Sequence, residues 1–304
     1  MPHVRAYLQL MRFPAVFTAM ADVLLGFLLT HDSLAIDGDS SSIVLLLIAS
    51  SALYLAGMVF NDVFDRDVDA VERPSRPLPS GRVSLRNATV LGAVLIAVGI
   101  ITAAVAGIGS ALVALSLTAA IFLYNAILKK TPAGPLGMGL CRFLNVLLGA
   151  SAGLEFSELW TGPQVAVAAV LAIYISGVTW FSRQESAESN RGRLLAAAVV
   201  INFGLCGLLF LALNHDVGIA GKVASLRVIY AWFVIVLVIN RPICAALSQP
   251  SPLRVQHAVK TMIQWLIMLD ATMIFAATAN AQYALITAVL LAPAMFLGRW
   301  IYVT

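Results

Sequence analysis

Apolar stretches long enough to cross a membrane follow one another along this chain, separated by short polar connections. They lie near residues 13–30, 43–60, 88–107, 110–128, 135–153, 165–181, 194–213, 226–247, 261–279 and 282–300. A helix needs ~20 predominantly apolar residues to span hydrocarbon ~30 Å thick. No water is available there, so every backbone N–H and C=O must be bonded within the segment, and each stretch is expected to be an α-helix. The 304 residues are 61% hydrophobic and 11% charged, against about half apolar and a quarter charged in soluble domains. The chain therefore reads as a single membrane-embedded all-α domain, 1–304, a polytopic transmembrane bundle of nine or ten helices. Nine results if two short segments merge or one is re-entrant. The first stretch carries Asp22 and lacks a signal-peptide pattern, so it is read as a mature span. Cys141, Cys206 and Cys244 all lie in apolar stretches and form no CxxC pair, which implies neither a disulfide framework nor a zinc site. A net charge of +4 with dispersed basic residues gives no nucleic-acid footprint.

Basic residues set the sidedness, because cytoplasmic loops are enriched in Lys and Arg. Arg5 and Arg12 precede the first stretch. Arg66, Arg73, Arg76, Arg82 and Arg86 follow the second, Lys129 and Lys130 the fourth, and Arg183, Arg191 and Arg193 the sixth. Arg241, Arg254 and Lys260 follow the eighth, and Arg299 closes the tenth. The alternate connections hold only Lys222, with Arg227 just inside the next stretch. Both termini and the charged connections are therefore expected on the cytoplasmic side.

The most informative connection begins Asn61-Asp62-Val63-Phe64-Asp65-Arg66-Asp67-Val68-Asp69. On a helix Asp62, Asp65 and Asp69 share one face, and Asn61 joins it. Like charges stacked this way repel unless a cation lies between them. Mg²⁺ suits such hard oxygen ligands and usually shares phosphate oxygens from a substrate. The stripe starts where an apolar span ends, so a phosphate would sit at the membrane mouth with a hydrocarbon tail in the bundle. A solvated helix end would look similar, but the next residues argue against it. Glu72-Arg73-Pro74-Ser75-Arg76-Pro77-Leu78-Pro79-Ser80-Gly81-Arg82 is a proline-stiffened loop with three arginines. Arginine forks bind phosphate bidentately.

The run NDxxDxxxD followed by RPxRPLPSGxVS, ending at Val83 and Ser84, closely resembles the UbiA superfamily of intramembrane prenyltransferases. Tyr124-Asn125-Ala126-Ile127-Leu128-Lys129-Lys130-Thr131 is similar to that family's segment after the fourth helix, and Arg142-Phe143-Leu144-Asn145-Val146-Leu147-Leu148-Gly149 to its fifth helix. The resemblance covers roughly residues 5–215. It implies a helical bundle around a central apolar cavity, with an Mg²⁺-bound isoprenyl diphosphate at the cytoplasmic mouth. It also implies transfer of the isoprenyl group to a lipophilic or aromatic acceptor in the membrane lipid. Asp62, Asp65 and Asp69 would then be the metal ligands and Asn61 would complete or orient that shell. Arg73, Arg76, Lys130, Arg142 and Arg183 would bind the diphosphate. Asp22, Tyr124 and Asn145 are further cavity candidates.

The family's second motif, DxxDxxxDxxxG, is thinned here. With Gly192 in register, its acidic positions hold Phe181, Gln184 and Glu188, and Glu185 is one position off, about 100° around a helix. Gln184, Glu185 and Glu188 are the second-motif candidates. The Ser-Arg-x-Glu form and the Cys-Arg-Phe-Leu-Asn run resemble the EboC-like branch, found in bacterial clusters handling secondary-metabolite precursors. Two readings stay open: metal-assisted prenyl transfer, or an altered member that binds or carries a prenylated or aromatic precursor. An ion-coupled transporter ranks last, because no inverted repeat is evident.

Intramembrane carboxylates usually face a cavity or a partner. Asp22 divides evenly between those roles, and Asp270 is expected in structural pairing. Arg142 is expected to reach either the diphosphate or an aspartate of the first motif. The run Gly149-Ala150-Ser151-Ala152-Gly153 is expected to let helices pack closely.

Overall fold

A computed structural model describes residues 2–31, 33–34, 41–183, 190–214 and 226–301. Helix α1 (Pro2–Leu10) and helix α2 (Val16–Thr30) are joined by a 3₁₀ turn at Phe13–Ala15. Next come α3 (Ser41–Phe64), the short α4 (Arg66–Glu72), α5 (Leu85–Ala106), α6 (Ile108–Ala126) and α7 (Gly134–Ala150). The chain continues through α8 (Pro163–Ser182), α9 (Arg191–Leu213), α10 (Leu226–Ser248), α11 (Pro252–Thr278), α12 (Ala281–Val289) and α13 (Leu291–Trp300). No strand occurs among the described residues.

The protein is an integral, multi-pass membrane protein. Among the described residues nine helical segments are long and apolar enough to cross a membrane, and α7 is a shorter apolar helix. At 17 residues, α7 is ~26 Å long, a little under the hydrocarbon thickness. It tolerates this because α2, α6 and α8 pack around it. The tenth stretch is broken at Leu290 into α12 and α13. Pro293 causes the break, since it has no N–H to bond the Val289 carbonyl. The connection expected at 248–260 is instead largely helical. Pro252 occupies the first position of α11, where a missing N–H costs nothing, and the helix carries Arg254, His257 and Lys260 in its opening turns.

Local chemistry sets other ends. Ser84 caps α5 by accepting from the Asn87 amide at 3.2 Å, and Asn280 caps α12 by accepting from the Gln282 amide at 2.8 Å. Helix α5 turns Val90, Val94, Ile101 and Val105 outward, as a lipid-facing helix must. Lipid tails are as apolar as leucine, so burial alone does not hold such helices together; close packing and interhelical polar pairs do. Asn202 and Asn240 exchange amide hydrogen bonds of 2.9 and 3.0 Å between α9 and α10.

Helix α2 is central. It packs against α3, α7, α8 and α11, so the last long helix returns to the first. Its crossing with α7 depends on two glycines. A Cβ at Gly26 would collide with the Val146 carbonyl, and one at Gly149 would collide with the Val23 carbonyl. Gly149 thus bears out the small-residue reading, and the close approach brings Asp22 against Arg142 and Asn145.

Candidate active site

A cavity of ≈ 370 Å³ lies inside the bundle. Its walls come from α2, α3, α6, α7, α8, α11 and α13, and Leu117, Ile121, Met138, Ile175 and Val178 supply much of the surface. Arg12, Arg73 and Arg76 line the end where α3 leaves the bundle.

The aspartate stripe stands beside that end. Helix α3 stops at Phe64, and Asp65 adopts φ −92°, ψ 2° as the cap of α4. The hydrogen bonds Asp65 N–H to Asn61 O (3.1 Å) and Asp69 N–H to Asp65 O (2.8 Å) carry the helical register across the step. The expected single helix is therefore two, with their register maintained. Each carboxylate meets a cation from another part of the chain. Arg76 Nη1 donates to Asp69 Oδ2 at 2.5 Å and lies 3.5 Å from Asp62 Oδ1. Arg12 Nη2 donates to Asp62 Oδ1 at 3.2 Å and to Asn61 Oδ1 at 3.4 Å. Lys129 Nζ donates to Asp65 Oδ2. Asp62, Asp69 and Arg76 are buried. Removing one partner of a buried pair leaves an uncompensated charge and costs about 3–5 kcal/mol.

The surroundings fix these groups. Asn61 Nδ2 donates to Asn125 Oδ1 at 3.0 Å, and Asn125 Nδ2 donates to the Gly57 carbonyl at 3.2 Å, which turns the Asn61 oxygen toward Arg12. The proline loop is held by Leu78 and Val83, which bury into an apolar cluster with Ala6, Leu10, Val59 and Ala88. Arg82 ties the loop down by donating to Gln9 Oε1 at 2.8 Å and to the Ser75 carbonyl at 2.5 Å. Arg12 has a positive φ of 45°, a strained conformation for a side chain of its size. That backbone directs the turn between α1 and α2 so that the guanidinium reaches Asp62.

A second polar group lies deeper in the cavity. Arg142 Nη1 donates to Asp22 Oδ2 at 2.7 Å, and Nη2 donates to Thr18 Oγ1 at 2.8 Å. The same guanidinium lies 5.6 Å from the Tyr54 ring centroid. Asn145 Nδ2 donates to Asp22 Oδ2 at 2.9 Å, while Ser50 Oγ donates to Asn145 Oδ1 at 2.6 Å. Arg142, Asn145, Tyr54 and Thr18 line the cavity, whereas Asp22 is wholly buried one layer behind. Asp270 neighbours Asp22 from α11. Asp22 Oδ1 and both Asp270 carboxylate oxygens meet no hydrogen-bond donor among the described residues.

The profile of the UbiA prenyltransferase family matches residues 20–249. The chain belongs to that family. A curated digeranylgeranylglyceryl phosphate synthase of Sulfurisphaera tokodaii is 31% identical over 155 residues, 51% of this chain and 54% of that protein. The Methanosarcina barkeri protein of the same name is 33% identical over 163 residues, 50% of this chain and 56% of that one. The chain thus spans about half the length of the curated relatives it matches. The apo structure of a UbiA homologue from Aeropyrum pernix has a TM-score of 0.65 at 19% identity, covering 84% of this chain and 96% of that one. A UbiA homologue from Archaeoglobus fulgidus, solved with DMAPP and Mg²⁺, has a TM-score of 0.58 at 16% identity, covering 93% and 99%. These two likenesses concern the fold.

Within this UbiA-family chain, the expected residues separate by position. Asn61, Asp62, Asp65, Asp69 and Arg76 come together, with Arg73 and Tyr124 on the cavity wall nearby. Arg142 lines the same cavity, and its carboxylate partner is Asp22 rather than a first-motif aspartate. Lys130 is exposed, and it is Lys129 that turns inward, because the 3₁₀ turn Leu128–Lys130 changes the phase after α6. Arg183 donates to the Lys129 and Thr131 carbonyls at 2.9 and 2.6 Å, so it braces this turn. Gln184, Glu185 and Glu188 lie outside the described residues.

The donor chemistry fits Mg²⁺, with hard oxygens on Asp62, Asp65, Asp69 and Asn61. Among the described residues no three His, Cys, Asp or Glu side chains converge into a ready-made metal site. Mg²⁺ does not need such a cage, since it is usually bound by one or two carboxylates together with substrate phosphates.

Proposed function

We propose that this chain is an integral-membrane prenyltransferase, moving an isoprenyl group from an allylic diphosphate to a lipophilic or aromatic acceptor. One observation carries the reading. Three aspartates and four cations (Arg12, Arg73, Arg76 and Lys129) gather at one end of a cavity that also has apolar walls. The diphosphate would lie among the cations, with its hydrocarbon tail along Leu117, Ile121 and Met138. The relatives' names and the DMAPP and Mg²⁺ held by the Archaeoglobus fulgidus homologue support this direction. Asp62, Asp65 and Asp69 would hold Mg²⁺, and a bound Mg²⁺ supplies Lewis-acid stabilisation of the leaving diphosphate. Arg76 and Arg12 bridge to the carboxylates, which orients the same guanidinium groups toward the place where phosphate oxygens would lie. As the allylic C–O bond breaks, the four cations offset the charge gathering on the diphosphate. The apolar walls keep water from the allylic cation until the acceptor forms the new bond and releases its proton. The basic connections support a cytoplasmic position for this mouth and for both termini.

The test is diphosphate release from purified protein supplied with allylic diphosphates of several lengths and candidate acceptors. Wild type is expected to release diphosphate, and Asp62→Ala and Asp65→Ala to lose at least about 100-fold in rate. A second reading is favoured by the thinned second motif, in which Glu188 alone is acidic in register. It makes the chain a binder or carrier of a prenylated or aromatic precursor. Mg²⁺-dependent binding without diphosphate release would select it.

A further inference from the structure

Three oxygens in the core of the bundle meet no hydrogen-bond donor among the described residues: Asp22 Oδ1 and both carboxylate oxygens of Asp270. Asp22 on α2 and Asp270 on α11 are both wholly buried. Buried polar groups left unmade in this way are rare and call for an explanation. The two side chains lie within hydrogen-bonding reach of each other, where α2 packs on α11. Carboxylate oxygens only accept, so two ionised groups at that separation repel and satisfy neither. One proton between them turns the contact into a hydrogen bond.

The charges around the pair lead to the same count. Among the described residues Arg142 of α7 is the cation that reaches it, and its ion pair is with Asp22 Oδ2 at 2.7 Å. Two carboxylates against one guanidinium leave one negative charge unmatched inside a membrane bundle, where charge is costly. The other polar neighbours are already engaged. Asn145 donates to Asp22 Oδ2, and Tyr174 of α8, which faces Asp270, donates its hydroxyl to the Met262 carbonyl at 2.9 Å. Tyr54 of α3 faces the Arg142 guanidinium with its ring.

We propose that Asp22 and Asp270 bind a single proton between them, Asp270 donating to Asp22 Oδ1, and that Asp270 is thereby a positioning residue for Arg142. The bond fixes the Asp22 carboxylate so that Oδ2 stays turned to Arg142 and Asn145, both of which line the cavity. It also leaves the three charged groups neutral in sum. Without the proton they would carry one negative charge just behind the cavity wall, which would oppose a diphosphate. That last consequence rests on the prenyl-transfer reading; the shared proton does not.

The experiment uses detergent-solubilised full-length protein at neutral pH, with aspartate carrying heavy carbon at the side-chain carboxyl. The infrared spectrum of wild type is expected to contain the carbonyl stretch of a protonated, hydrogen-bonded carboxylic acid, a band that the label shifts and Asp270→Asn removes. An amide can donate to Asp22 as the acid does. Asp270→Asn should therefore melt near wild type and keep its affinity for geranylgeranyl thiodiphosphate with Mg²⁺ within about twofold, whereas Asp270→Leu should lose about tenfold, the scale of one hydrogen bond. Absence of the band from wild type would overturn the proposal, whether or not Asp270→Leu folds. So would an Asp270→Asn loss as large as that of Asp270→Leu, since a carboxylate charge would then be what the site needs. A wild-type melting temperature raised by sodium over choline at equal ionic strength would also overturn it, because a metal cation would then fill the pair. Failure of wild type to take up thiodiphosphate, with the band present, would instead overturn the prenyl-transfer reading and leave the shared proton standing.

Discussion

Arg76 Nη1 lies 2.5 Å from Asp69 Oδ2, and both side chains are buried. The arginine comes from the proline loop and the aspartate from α4, so this pair joins the loop to the stripe. Arg76→Ala is expected to lower affinity for an unreactive isoprenyl thiodiphosphate at least tenfold, about one lost charge-assisted hydrogen bond. It should also lower thermal stability, because Asp69 stays buried without its partner. Calorimetry and a melting curve on the same preparation check both effects.

Lys129 and Lys130 offer a contrast between neighbours. Lys129 pairs with Asp65, whereas Lys130 is exposed. Lys129→Ala should weaken thiodiphosphate binding by about tenfold, while Lys130→Ala should change it by less than about twofold, as expected for a surface charge. Equal losses would show that the turn after α6 offers both lysines to the ligand.

The Asp22–Arg142 pair predicts a cycle. Asp22→Leu and Arg142→Met should each destabilise the protein, since each leaves its partner's charge buried, by about 3–5 kcal/mol. The double variant should recover most of that loss, because removing both charges removes the uncompensated one. Melting temperatures of the four proteins measure the coupling, and additive losses would count against it.

The crossing of α2 and α7 predicts a steric effect. Gly26→Ala should destabilise by about 1–3 kcal/mol through overpacking against the Val146 carbonyl. It should also lower prenyl-transfer rate, because the same crossing seats Asp22 against Arg142. Gly81→Ser is the comparison, since no atom lies within 4 Å of a Cβ there. Its φ of +72° limits the cost to backbone strain of about 1 kcal/mol.

The succession of apolar helices and the motif were legible because they are local. An apolar run of about 20 residues has one stable form in hydrocarbon, and Asp62, Asp65 and Asp69 lie within one short segment. Partnerships made across the chain were not legible. Asp22 and Arg142 are separated by 120 positions, and Arg12 and Asp62 by 50. Arg12 read as an ordinary positive-inside residue because nothing in its neighbourhood signals the positive φ that aims it. Lys129 and Lys130 could not be separated without the phase set by the 3₁₀ turn. The start of α11 was hidden by Arg254, His257 and Lys260, which lower the local apolar signal while their backbone is helical.

The central claim is that the Asp62–Asp65–Asp69 mouth binds an isoprenyl diphosphate together with Mg²⁺. It is tested most directly by titrating geranylgeranyl thiodiphosphate into wild type, Asp62→Asn and Asp65→Asn, each with Mg²⁺ and with a chelator. The account predicts saturable binding by wild type that requires Mg²⁺ and falls at least about tenfold in both variants. Binding that is equally tight with chelator present and unchanged in both variants would contradict it.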